Sequence, residues 1–88
     1  MEEKIITPKE AYAFAVKYFK ELVGDFETTL EEIERFESLN TKNWYVTISY
    51  LDKGARDESV MGVKVAKRRF KKFVIDAHTG EFRAMRNA

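Results

Sequence analysis

The sequence predicts an α+β domain in which one N-terminal amphipathic helix packs on a four-stranded antiparallel meander, in the order α-β-β-β-β. Three observations predict it. A capped segment with a broad apolar arc comes first, stretches of alternating apolar and polar residues follow, and short polar turn clusters stand between them. At 88 residues the chain has room for one domain, and 1–88 reads as a single unit without linker, repeat or low-complexity tract.

The helix is predicted over residues 8–23. Thr7-Pro8-Lys9-Glu10 has the form of a capping box, with the Thr7 hydroxyl accepting from the Glu10 N–H and the Glu10 carboxylate reaching back. Pro8 falls at the first helical position, where a missing N–H costs nothing. At 100° per residue, Ala11, Tyr12, Phe14, Ala15, Val16, Tyr18, Phe19, Leu22 and Val23 fill one arc. Lys9, Glu10, Lys17, Lys20 and Glu21 fill the other. Gly24 supplies the C-terminal cap.

The next segment supports two periods. Leu30, Ile33 and Phe36 recur every third residue, as on a helix, whereas Ile33, Arg35 and Glu37 alternate with Glu32, Glu34 and Phe36, as on a strand. A strand over 28–38 is chosen because the following element needs a pairing partner. In that reading Glu31 and Glu37 share a face with Ile33. Asn40-Thr41-Lys42-Asn43 reads as the hairpin loop.

A second strand over 43–52 sets Trp44, Val46, Ile48 and Tyr50 against Tyr45, Thr47, Ser49 and Leu51. Asp52 to Ser59 is a polar, mobile loop, and Val60 to Val63 extends a flanking strand. The third strand, 65–76, places Phe73 and Ile75 on one face and Phe70, Lys72 and Val74 on the other. Asp76 to Glu81 forms a turn, with Asp76 or Thr79 bonding the local backbone and Gly80 left-handed. A short strand over 81–86 closes the meander with Phe82, Ala84 and Met85.

Composition narrows the function classes. With no Cys there is no disulfide, thiolate nucleophile or Cys-ligated zinc. His78, the one histidine, is read as a solvent-exposed turn residue rather than a general base flanked by Asp76 and Glu81. Asp52, Asp57 and Glu58 lack calcium-loop spacing, and no phosphate-binding glycine loop is present. No catalytic, cofactor or metal site is expected. The first residues carry no basic segment followed by an apolar one, and no apolar run approaches the ~20 residues needed to span a bilayer. A cytoplasmic protein without a membrane partner is the expectation.

Leu30-Glu31-Glu32-Ile33, Trp44-Tyr45-Val46-Thr47-Ile48 and Phe73-Val74-Ile75-Asp76-Ala77-His78-Thr79-Gly80-Glu81-Phe82, behind an Ala-rich helix, resemble the PepSY and PepSY-like domains. The likeness rests on the Trp-x-Val strand and the Asp-Ala-x-Thr-Gly-Glu hairpin. It implies a cystatin-like helix across an antiparallel sheet and, by family habit, binding or inhibition of a peptidase. The matched residues Trp44, Val46, Asp76, Thr79, Gly80 and Glu81 belong to turn and core, so no catalytic residue is implied.

Charge and ring placement single out one surface. Residues 1–40 hold five Lys and Arg against ten Asp and Glu, and residues 41–88 hold eleven against five. A helix covers one side of a sheet, and the other must face water or a partner. Tyr45, Leu51, Phe70, Lys72 and Val74 are the candidate contacts there, for a protein partner or a second copy. The alternative is single-stranded nucleic acid gripped by Arg68, Phe70 and Lys72 within the basic run 64–73. The competing plain reading is a solvated face whose Lys and Arg stems cover the rings.

Overall fold

The computed structural model describes residues 4–38, 41–52 and 67–88. Helix α1 (Pro8–Leu22) lies on a sheet of β1 (Thr28–Glu37), β2 (Lys42–Asp52), β3 (Lys67–Asp76) and β4 (Phe82–Asn87), in the spatial order β1-β2-β3-β4 and antiparallel throughout. The predicted α-β-β-β-β meander is the observed one. Expectations for the loop after Asp52, for Val60 to Val63, for the start of the third strand at 65 and for Asn40 lie outside the described residues. Lys42 and Asn43 belong to β2 rather than to the hairpin loop, where Ser38 N–H donates to Thr41 O at 2.8 Å.

Both halves of the capping box form: Thr7 N–H donates to Glu10 Oε1 at 3.0 Å and Glu10 N–H to Thr7 Oγ1 at 3.1 Å. The backbone and side-chain bonds to Thr7 hold the Glu10 carboxyl below its ordinary value. At the other end Gly24, at φ 140°, donates to Phe19 O at 3.2 Å. Ala11, Ala15 and Phe19 are fully buried, so two methyl side chains let the helix sit close to the sheet while one ring fills the gap beyond. Leu22, expected in the apolar arc, is 52% exposed because it lies at the helix end beyond the packed stripe.

The core combines that stripe with Trp44, Val46, Ile48 and Tyr50 of β2 and Phe73 and Ile75 of β3. Phe19 meets Tyr50 edge-on at 5.0 Å and Phe73 at 6.3 Å. Such pairs add about 0.5–1.5 kcal/mol beyond burial. The lead-in chain is tied on by Trp44 Nε1–H donating to Ile6 O at 3.1 Å and Ile6 N–H donating to Ala77 O at 2.8 Å.

Two bulges set which residues face the helix. In β1 the register shifts between Leu30 and Glu32, so Leu30 pairs with Ile48 and Ile33 with Val46, both core positions of β2. A spacing of three thereby becomes two residues on one face of a strand, with Glu31 as the extra residue. In β4 the shift around Arg83 lets Phe82 pair with Ile75 and Met85 with Phe73, leaving Ala84 opposite Val74 on the other face.

The β3–β4 turn is fixed from three sides. Asp76 Oδ1 accepts from the N–H groups of His78 (2.8 Å) and Thr79 (3.0 Å), Thr79 Oγ1 accepts from Glu81 N–H at 3.2 Å, and Arg83 pairs with Asp76 Oδ2. Gly80 is left-handed at φ 78°, and a Cβ there would sit 2.5 Å from the Phe14 ring. Its carbonyl accepts from Tyr18 Oη at 2.8 Å, which locks turn to helix.

Candidate functional site

The sheet face away from the helix is crossed by five rows, each read from the strand pairing. From one end they are Phe36–Asn43–Asp76, Glu34–Tyr45–Val74–Ala84, Glu32–Thr47–Lys72–Arg86, Thr29–Ser49–Phe70 and Leu51–Arg68. The alternation of β2 and β3 therefore brings Tyr45, Leu51, Arg68, Phe70, Lys72 and Val74 onto one surface. They do not contribute equally. Leu51 is 41% exposed and Phe70 37%, whereas Val74 keeps 5%. Val74, expected as a contact, is instead buried between Tyr45 and Ala84, its neighbours on either strand, and forms the floor of the face.

Two residues that the sequence reasoning left out complete the surface. Phe36, 47% exposed, stacks on Tyr45 with centroids 5.6 Å apart and planes at 17°. Lys72 Nζ lies 5.8 Å from the centre of the Tyr45 ring. An array of cation, phenol and phenyl thus runs from β3 across β2 to β1. The signal for Phe36 was present in its alternation with Glu32 and Glu34. Glu31 is the second. Simple alternation places it with Ile33, but as the bulge residue it turns to the open face and accepts from Ser49 Oγ at 3.1 Å.

Ser49 is fully buried and also accepts from Arg68 Nη1 at 2.8 Å. The chain Arg68–Ser49–Glu31 links β3, β2 and β1 and satisfies a hydroxyl that would otherwise be buried unpaired. Arg68 thus has a guanidinium nitrogen engaged within the sheet. Beside this network a cavity of about 400 Å³ opens between the start of β1 and the end of β2, lined by Asp25, Phe26, Glu27, Thr28, Thr29, Leu51 and Arg68.

The charges across the face are ordered by strand. Glu31, Glu32 and Glu34 stand on β1, and Arg68, Lys72, Arg83 and Arg86 stand on β3 and β4. Among the described residues Glu32, Glu34 and Arg86 make no ion pair. Strands lie about 4.8 Å apart, so the Glu32–Thr47–Lys72–Arg86 row passes from negative to positive over about 14 Å. Segregated charge at that spacing creates a lateral field that neither edge cancels.

Asp76 ends the first row. Burial acts to raise its carboxyl, but the Arg83 guanidinium and the N–H groups of Thr79 and His78 outweigh it and hold the group well below the usual carboxylate range. Both oxygens of Asp76 are therefore engaged and do not orient the His78 ring. That ring is exposed, and its Nδ1 lies 3.2 Å from Lys4 O. Among the described residues no group of three or more His, Cys, Asp and Glu is gathered for a metal ion, and no helix is long and apolar enough to cross a membrane.

The fold defines a class: a small α+β domain with one helix across a four-stranded antiparallel meander. No protein-family model matches the chain, and no curated protein and no solved structure matches it.

Proposed function

We propose that this domain is a protein-interaction module whose contact surface is the open sheet face, centred on Tyr45, Phe36, Phe70, Leu51 and Lys72. The observation that carries this reading is the exposure of Phe36, Leu51 and Phe70 on one face. Phe36 at one end of the face, and Phe70 with Leu51 toward the other, expose apolar surface among ordered charges, as a binding surface does. The PepSY likeness supports the same class of function, with a peptidase as one form of partner. Its support is the element order together with the Trp44 strand and the Asp76–Glu81 hairpin.

Single-stranded nucleic acid is the weaker reading. Arg68 is tied to Ser49, and Glu31, Glu32 and Glu34 on the same face repel a phosphate backbone.

Site-specific photocrosslinking in the native cell tests the proposal. A benzophenone side chain in place of Phe70 is expected to give discrete protein adducts, while the same group in place of Ala13, exposed on the helix, gives none. Equal labelling from the two positions, or labelling from Ala13 alone, contradicts it.

A further inference from the structure

The charge order on the open face makes it complementary to itself in one orientation. Two sheets packed face to face lie about 10 Å apart with strands within roughly 30° of each other. A twofold axis running along the strands, between β2 and β3, lays β1 of one copy over β4 of the other. A twofold axis across the strands would instead lay β1 on β1, glutamate on glutamate. In the first arrangement Glu32 of each copy meets Arg86 of the other, twice by symmetry. Phe36 falls over the second copy's Arg83, and Leu51 covers the aliphatic stem of its Arg68.

We infer that the partner of this face is a second copy of the chain, docked sheet to sheet about a twofold axis parallel to the strands. This rests on the open face being the contact surface at all. Three exposed apolar side chains stand toward its two ends, and Glu32, Glu34 and Arg86, which make no ion pair among the described residues, lie on its two edge strands. Four strands of about nine residues give a face of roughly 600 Å² in projection. That is at the small end for specific association, so a weak, reversible dimer is expected.

Sedimentation equilibrium on the purified chain and two charge-reversal variants tests the arrangement. Wild type is expected to be a reversible dimer that weakens as salt rises. Glu32→Lys places lysine against arginine twice, Arg86→Glu places glutamate against glutamate twice, and each variant alone dissociates at least about tenfold more readily. Mixed one to one, they form a heterodimer, because both contacts between the copies are then attractive. Circular dichroism confirms that each variant is folded.

A monomeric wild type at millimolar concentration overturns the inference, as does a dimer indifferent to both reversals. So does a mixture that fails to associate. The Phe70 crosslink separates the two levels. Adducts to a different protein from a monomeric chain leave the face as the contact surface and remove the second copy; absence of any Phe70 adduct removes both. Salt-sensitive binding of a short single-stranded oligonucleotide by the monomer also counts against the second copy.

Discussion

Asp76 shows how much of the architecture one side chain carries. It receives two backbone N–H groups from the turn and a guanidinium from β4, at 12% side-chain exposure. Its carboxyl is held down in the folded state, so its contribution is complete above the unfolded value of about 3.9. The contribution is lost as pH falls through the folded value. Asp76→Asn is expected to cost about 1 kcal/mol at neutral pH, since the Arg83 side chain it pairs with is 45% exposed and partly screened. Urea unfolding across pH should show the gap between wild type and variant widest above about pH 5 and narrowing below about pH 4. A gap that widens toward acid contradicts the assignment.

At the scale of elements, α1 and β2 were legible because each carries a single period, although β2 begins inside what reads as a turn. Thr7, Pro8 and Glu10 mark the helix start, and Trp44 to Leu51 alternate without interruption. β1 was harder to read because a bulge imposes a three-residue spacing on a strand, which is the spacing of a helix. Leu30 and Ile33 face the same way through the extra Glu31, so alternation counted without the bulge misplaces Glu31. The same device in β4 unites Phe82 and Met85 on the helix side. Deleting Glu31 therefore leaves a regular ladder with Leu30 and Ile33 still facing inward. The deletion is expected to remain folded and to lie within about 1 kcal/mol of Glu31→Ala, since both lose only the bond to Ser49. A loss several times larger, measured by thermal unfolding, would show that the bulge itself sets the register.

For the molecule as a whole, the helix covers the middle of one side of the sheet, where Leu30 and Phe82 on the edge strands stay partly exposed, and leaves the other side open. Most of that surface could be read from alternation in β2 and β3, which aligned Tyr45, Leu51, Arg68, Phe70 and Lys72. What alternation does not reveal is depth. Val74 shares the face yet is covered by its neighbours, while Phe36 at the hairpin end of β1 stands out above them. Nor does it reveal that Glu32 and Glu34 of β1 come to lie across one face from Lys72 of β3 and Arg86 of β4. That is a property of the strand order and registers, and it is the observation on which the proposed pairing with a second copy rests.

Interaction on this face, and not on the helix, is the proposal on which the rest depends. Its most direct test is a series of two-dimensional amide and aromatic NMR spectra recorded from tens of micromolar to about a millimolar chain. Concentration-dependent shifts are expected at Phe36, Tyr45, Leu51, Phe70 and Arg86, with the outward residues Ala13, Lys17 and Lys20 of α1 unmoved. Shifts confined to α1 would contradict it, and none anywhere across that range would remove the second copy as the partner of this face.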